Sequence, residues 1–231
     1  MSRTFKGVVL LAAAMGLYQA APYASGSAAP SGSPMGSSSA PSMSPAVRAV
    51  ESYKNGDEHR MKGKKLEEEA TAKQGNDAQK ALAKAKGEFE KSLKDFKSAA
   101  QLNPQLFQAY NGMGYAYRKT GDYAKALEMY DQAIKMAPGF YSEAVEYRAE
   151  AYLSLNRIDD ARQAYMDLFA ADRKQSDILM LAMKKWVATR QADAAGVDPA
   201  VVGSFEKWIG ERDGMAKQTR LMGIDGARST W

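Results

Sequence analysis

The stretch FQAYNGMGYAYRKTGDYAKALEMYDQAIKMAPGF, residues 107–140, decides the fold. Its apolar positions recur three and four residues apart, which is typical of amphipathic α-helices. The pattern is interrupted at Thr120-Gly121-Asp122 and closes at Pro138. Glycine permits a tight turn between helices, aspartate caps the helix that follows, and proline stops a helix because it has no backbone N–H to donate. The stretch therefore predicts two antiparallel helices joined by a short turn.

Five residues inside these two helices have sizes that suit a helical hairpin. Gly114 and Ala126 are small at the position where the two helices would cross most closely, since a larger side chain there would push them apart. Tyr110, Tyr117 and Tyr130 are large enough to fill the space around this contact. The spacing therefore predicts close helix packing at Gly114.

The spacing of eight residues in this hairpin closely resembles the signature of a tetratricopeptide (TPR) repeat. The eight are Tyr110, Met113, Gly114, Tyr117, Ala126, Tyr130, Ala133 and Pro138. A second unit follows, with matching residues at Ala149, Tyr152, Ala161, Tyr165 and Leu168. In this unit Asn156-Arg157 stands where Gly-Asp is usual, and Arg173 replaces the closing proline. The resemblance implies an all-α fold, a TPR-type solenoid of stacked helical hairpins with two TPR units over residues 105–172.

The segment before these units departs from the repeat pattern. Residues 87–104 fit the second helix of a repeat, but an apolar stripe continues backward through Gly87. The stripe predicts one long helix from about Asp77 to Leu102, with an antiparallel partner in residues 46–73 and a connection at Gln74-Gly75-Asn76. We therefore expect an extended N-terminal hairpin over residues 46–104, including a degenerate TPR.

The segment after the units predicts two further amphipathic helices, at residues 176–190 and 199–217. Neither fits the repeat, and atypical terminal helices commonly cover the exposed apolar face of a solenoid's last unit. The natural covering residues are Trp186, Phe205, Trp208 and Ile209. We expect a C-terminal helical cap over residues 173–217 and a frayed tail over residues 218–231.

The N-terminus has the pattern of a secretory signal peptide over residues 1–24. Arg3 and Lys6 give a short positive region, and the apolar run at residues 7–17 is followed by small residues. The predicted location is therefore outside the cytoplasm, across the inner membrane and in a bacterial periplasm, with an uncleaved membrane anchor as the alternative. Residues 25–45 are almost all Ser, Gly, Ala and Pro, which predicts a flexible linker, either a tether or a plain spacer.

Composition removes most classes of enzyme and of metal site. The 231 residues include no cysteine and one histidine, His59, and no nucleophile-elbow pattern accompanies it. The net charge of +5 includes Arg3 and Lys6 of the leader, so little basic excess remains for nucleic acid binding. No paired carboxylates stand out from ordinary helix charges. We expect no catalytic residues, no metal, no cofactor, no small-molecule substrate and no nucleic acid partner.

In the TPR family the first helix of each repeat lines the concave surface that receives a partner. The resemblance places eight residues there: Gln108, Asn111, Tyr115, Arg118, Lys119, Glu143, Glu146 and Glu150. Such a groove would be basic and aromatic on one side and acidic on the other, which suits a peptide with separated charges. We expect a partly exposed Tyr115 to be the anchor. The alternative is that all eight are ordinary exposed helix residues.

These expectations converge on a non-catalytic adaptor or scaffold of the bacterial cell envelope that binds a protein or peptide segment in the concave groove. This function rests on fold-level analogy, since one fold serves many partners. The alternative is a permanent structural subunit of an envelope assembly, secretion or pilus machine. That alternative predicts a large contact through Trp186, Trp208 or the long hairpin.

Overall fold

A computed structural model describes residues 43–222, and these residues form α-helices with no β-strand among them. The all-α TPR-type solenoid expected from the sequence is confirmed, with an extended N-terminal hairpin and a helical cap. The predicted signal peptide, nearly all of the predicted linker and residues 223–231 lie outside the described residues. The helices are α1 (Pro45–Thr71), α2 (Gly75–Leu102), α3 (Phe107–Thr120), α4 (Tyr123–Met136), α5 (Ser142–Ser154), α6 (Ile158–Ala171), α7 (Arg173–Ala192) and α8 (Pro199–Leu221).

The long hairpin of α1 and α2 packs through a stripe of small residues on α1. Its four buried residues, Ala49, Gly56, Gly63 and Ala70, recur at intervals of two helical turns. A Cβ atom at Gly56 would lie 2.8 Å from Cδ1 of Phe96, and one at Gly63 would lie 2.5 Å from Cε1 of Phe89. The two phenylalanine rings of α2 therefore occupy the space that larger side chains on α1 would need.

The hairpin of α3 and α4 has the turn and the crossing that its sequence predicts. Gly121 adopts a left-handed backbone with φ of 93°, and Asp122 accepts a hydrogen bond from the backbone N–H of Lys125 at 3.2 Å. A Cβ atom at Gly114 would lie 2.6 Å from Cε1 of the fully buried Tyr130. The two helices therefore touch most closely at Gly114.

The next two connections follow the same principles with different residues. Asn156 takes φ of 58° between α5 and α6, because asparagine tolerates the left-handed region better than most residues. Asp172 ends α6 and also caps α7, accepting a hydrogen bond from the backbone N–H of Gln175 at 3.2 Å. This cap makes α7 begin at Arg173, three residues before the predicted start at Ser176.

Helices α7 and α8 form the cap. The rings of Trp186 and Phe205 meet edge to face at 5.6 Å inside it, and Trp208 packs on Tyr165 of α6 at 5.6 Å. Helix α8 continues to Leu221, so the prediction of a frayed tail from residue 218 is wrong for its first four residues. The ion pair between Arg220 and Asp177 of α7 holds this last part of α8 against its neighbour.

The odd-numbered helices form one layer. Helices α1, α3, α5 and α7 contact one another in that order, while α2, α4 and α6 each contact the odd-numbered helices on either side. One face of the molecule is therefore built from four neighbouring odd-numbered helices. Within residues 43–222 no helix has both the length and the apolar character required to cross a bilayer.

Candidate protein-binding groove

Two cavities open on the face built by the odd-numbered helices. The larger has a volume of about 590 Å³ and lies between α3, α5 and α7, and the smaller has about 340 Å³ and lies between α1, α3, α5 and α7. Arg118, Glu150 and Ile178 line both, so the two cavities adjoin, and together they are here called the inner groove. A third cavity of about 20 Å³ adjoins the smaller one through Arg60, Tyr115 and Tyr147.

The structure brings all eight residues assigned to the concave surface to these three cavities. The residues at the inner groove itself are Tyr115, Arg118, Lys119, Glu146 and Glu150. The residues at the small adjoining cavity are Gln108, Asn111, Tyr115 and Glu143. The carry-over from the repeat pattern therefore identified one contiguous surface, and the partner-binding role of these residues stays a prediction.

The expected exposure of Tyr115 is wrong. Only 5% of its surface is exposed, because its ring packs edge to face on Phe89 of α2 at 5.9 Å and on Tyr147 of α5 at 5.1 Å. Burial raises the pKa of the Tyr115 hydroxyl to about 12. Asn111 and Glu146 are buried as well. Tyr115 is therefore part of the wall that supports the groove, and it does not project as an anchor.

The expected separation of basic and acidic sides is also wrong, because the charges pair across helix boundaries. Arg118 of α3 forms an ion pair with Glu150 of α5, and its Nε donates to the Tyr130 hydroxyl at 3.4 Å. Lys119 of α3 pairs with Glu67 of α1 at 2.5 Å. Most of the predicted groove charges are therefore compensated inside the protein before any partner arrives.

Cations of the groove also lie against aromatic rings. The guanidinium of Arg118 is 5.1 Å from the ring centre of Tyr115 and 5.5 Å from that of Tyr147. The guanidinium of Arg60 on α1 is 5.4 Å from the Tyr115 ring and donates to Asp57 at 2.8 Å. Burial lowers the pKa of Arg118, but the Glu150 carboxylate and the hydroxyl groups of Tyr130 and Tyr115 together outweigh it and hold the pKa above its usual value. Arg118 is therefore a permanent positive charge beneath the groove.

Asn111 is engaged by residues of the next repeat. Its side-chain amide donates to the Tyr141 hydroxyl at 3.0 Å and to Oε2 of Glu143 at 3.4 Å. Its carbonyl oxygen, Oδ1, is buried and accepts no hydrogen bond from the described residues. Asn111 therefore links α3 to the start of α5 and leaves one acceptor unused.

Glu146 is the most deeply buried acid of the groove. It is 2% exposed, lines the smaller cavity, and its Oε1 has no hydrogen-bond partner within residues 43–222. Burial first, and then the negative charges of Glu150 and Glu143, raise its pKa to about 8 against the opposing effect of Arg118. Glu146 is therefore mostly protonated at neutral pH.

The sequence analysis missed the apolar end of the groove. Ile178 and Leu181 on α7 line the larger cavity, and they are 40% and 67% exposed. Trp186 closes the floor of the same cavity, and its indole N–H is buried without an acceptor among the described residues. The sequence signal for this apolar end is that Ile178 and Leu181 are large apolar residues three positions apart on one helix. They lie outside the buried stripe that contains Leu179 and Met183.

The groove also includes Arg60 and Tyr147, which the sequence analysis did not assign. Tyr147 was within reach of sequence reasoning, because it lies four residues after Glu143 and three before Glu150 and so shares their helix face. Arg60 could not be predicted from the sequence in this way, because α1 lacks the repeat signature. Within residues 43–222 no three His, Asp or Glu side chains are grouped in a way that would hold a metal ion.

Comparison with known proteins agrees with this geometry. The tetratricopeptide repeat model matches residues 107–140, which are α3, α4 and their connections, and a second TPR repeat model matches residues 83–121, most of α2 with α3. Stress-induced-phosphoprotein 1 of Caenorhabditis elegans is 40% identical over 57 residues, 25% of this chain and 18% of that protein. The chain therefore spans less than a fifth of the length of that relative. TPR repeats generally act as non-catalytic scaffolds that bind protein or peptide partners, and residues 83–140 of this chain contain such repeats.

Proposed function

We propose that this protein is a non-catalytic scaffold of the bacterial cell envelope, and that its inner groove holds a segment of a partner protein. The observation that carries this proposal is the pair of adjoining cavities that together extend across α1, α3, α5 and α7. A depression that crosses four neighbouring helices offers contacts to an extended segment or to a helix, the two shapes that peptide-binding grooves commonly accept.

The two ends of the groove would make different contributions to binding. The exposed Ile178 and Leu181 offer apolar area to a partner side chain, which favours affinity because this area leaves water on binding. The ion pairs at the other end, such as Lys119 with Glu67, hold the wall in a fixed shape before binding. A wall that is already ordered reduces the entropy lost on association.

The envelope location rests on the N-terminal sequence. Arg3, Lys6 and the apolar run at residues 7–17 favour export, and residues 25–42 have the composition of a linker. The test is to express the full chain, fractionate the cells and sequence the N-terminus of the product. An envelope fraction whose chain starts between residues 21 and 25 supports export with cleavage. An intact chain in the cytoplasmic fraction contradicts the envelope proposal.

The groove proposal is tested by crosslinking in living cells. A photoreactive residue replaces Ile178 in the groove, and in a matched chain it replaces Met166 of α6, an apolar residue of similar exposure at 38%. The proposal expects one discrete partner captured from position 178 and none from position 166. Capture from position 166 alone would favour a permanent subunit docked through another face. Trp186 is buried in the cap, so a contact of this kind would use Trp208 or the long hairpin.

A further inference from the structure

We infer that the smaller cavity of the inner groove receives one basic side chain, a lysine or an arginine of the bound segment, with Glu146 as its acceptor. This inference rests on the proposed function, because the basic residue belongs to the protein segment that the groove would hold. It adds the chemical identity of one partner residue and the place where that residue binds.

The first step is the unused hydrogen-bonding capacity of the cavity wall. Buried polar atoms in folded proteins nearly always have a partner, so a buried atom without one requires an explanation. Glu146 Oε1 at the smaller cavity is such an atom. Asn111 Oδ1 is another, and it belongs to the adjoining cavity that shares Tyr115 and Tyr147 with the smaller one. Both are acceptors. The group that completes this wall is therefore a donor, and lysine and arginine side chains consist of donors only.

Most of the charged side chains around Glu146 already have a partner of opposite charge. From α1, Arg60, Lys64, Glu67 and Glu68 face the cavity, and Arg60 is paired with Asp57. From α3, Arg118 and Lys119 face it, and they are paired with Glu150 and Glu67. Lys64 and Glu68 have opposite charges one helical turn apart. Glu143 and Glu146 remain as acids that form no ion pair within residues 43–222.

The charges of the cavity wall favour one kind of partner side chain over the others. An anionic side chain would find three of the four cations of the wall already paired, with the exposed Lys64 as the exception, and would approach two acids. A neutral side chain supplies no positive charge, so Glu146 keeps its proton and no ion pair forms. A basic side chain supplies both the donor and the missing positive charge. Its aliphatic stem can pack on the exposed part of Ile178 at the rim while the charged head reaches Glu146.

Binding of a basic side chain next to Glu146 should release a proton, and this release can be measured. Glu146 holds a proton at neutral pH, because its pKa is about 8. A cation next to it favours the carboxylate, so the O–H bond of Glu146 breaks and the proton passes to the buffer. Binding is then accompanied by the loss of close to one proton per bound segment, and less above pH 8.

The experiment uses the full chain and a library of random peptides selected for binding. Three proteins are compared: the parent, Glu146→Gln, and Glu128→Gln as a matched control on the exposed surface of α4. The inference expects that peptides selected by the parent and by Glu128→Gln share one position occupied by lysine or arginine. It expects that peptides selected by Glu146→Gln lose this preference. Thermal melting of the three proteins verifies that each is folded.

A change in the peptide provides a test that does not depend on a protein variant. Replacing the shared basic residue by norleucine, which keeps the stem and removes the charge, should weaken binding to the parent by about thirtyfold or more. The same change should alter binding to Glu146→Gln by less than about threefold. Calorimetry in buffers with different heats of ionisation should detect proton release for the parent and none for Glu146→Gln.

Two outcomes overturn the inference, and they are distinguishable. Selected peptides that share no basic position, or that keep the basic preference against Glu146→Gln, contradict the assignment of Glu146 and leave groove binding intact. The absence of any selected peptide contradicts the proposed function itself, and with it the inference.

Discussion

Arg118 on α3 and Glu150 on α5 form an ion pair across the boundary between the two repeats. Both residues line both cavities of the inner groove, so the pair lies at its centre. The Arg118 guanidinium also lies over the rings of Tyr115 and Tyr147. The Arg118 side chain therefore contributes both to the stacking of one repeat on the next and to the shape of the groove.

Removing the charge of Arg118 should destabilise the protein. Arg118→Gln leaves Glu150 beside the buried Glu146 with no cation between them, and we expect a loss of about 1–3 kcal/mol in the free energy of unfolding, measured by urea denaturation. The control is Arg157→Gln, which breaks an exposed pair with Asp160 and should cost less than about 1 kcal/mol. Equal losses for the two variants would show that the pair at the repeat boundary contributes no more than a surface pair.

Shortening Tyr115 should be costly, in contrast to the small effect that an exposed anchor would give. Tyr115→Ala removes a ring buried between Phe89 and Tyr147, and we expect a loss of about 3–5 kcal/mol in the free energy of unfolding. Tyr115→Phe retains the ring and should cost less than about 1.5 kcal/mol. If chemical denaturation finds Tyr115→Ala as stable as the parent, Tyr115 does not belong to the supporting wall.

The buried Glu146 should give the protein a distinctive dependence on pH. Its folded pKa of about 8 lies above the ordinary value of 4.5, so the folded state holds an extra proton between these values. Stability contributed by Glu146 is therefore full below pH 4.5 and falls as pH rises toward 8, by about 1.4 kcal/mol per pH unit. Denaturation of the parent and of Glu146→Gln between pH 5 and pH 8 measures this difference. Parallel stability profiles would contradict a raised pKa at Glu146.

Replacing two helical glycines, Gly114 and Gly87, by alanine should change the stability of the protein in opposite directions. A methyl group at Gly114 would lie 2.6 Å from the Tyr130 ring, and we expect Gly114→Ala to cost about 1–3 kcal/mol of stability by overpacking. A methyl group at Gly87 on α2 meets open space, and Gly87→Ala should stabilise the protein by about 0.5–1 kcal/mol through helix propensity. Thermal melting measures both. A Gly114→Ala variant that melts with the parent would refute the close crossing of α3 and α4.

Much of the fold follows from local sequence. Gly121, Asp122 and Pro138 mark the ends of two helices, and Gly114 marks their crossing, because these roles depend on residues close in the chain. The long α2 was predictable from an apolar stripe that continues through Gly87. The partner of α2 was harder to place in detail, because α1 presents small residues where an apolar stripe would normally indicate the buried face.

The candidate site was predictable in its location and not in its chemistry. Repeat spacing places Tyr115, Arg118 and Glu150 on the inner layer, and the structure brings them to one groove. Their burial and their pairing depend on how closely one hairpin stacks on the next. Arg60 comes from the first hairpin and Tyr147 from the third, and no local pattern within a single helix specifies how close each lies to Tyr115 of the second.

Binding through the inner groove is tested by comparing the affinities of two variants for the partner. The partner captured from position 178 is titrated into full-length Ile178→Arg and Met166→Arg, which change two apolar residues of similar exposure in the same way. Both variants should keep the parent's stability within about 0.5 kcal/mol, as is usual for surface substitutions. The account predicts that Ile178→Arg binds the partner at least about tenfold more weakly than the parent, while Met166→Arg binds like the parent. Equal affinities for the two variants, or a larger loss from Met166→Arg, would contradict binding in the groove.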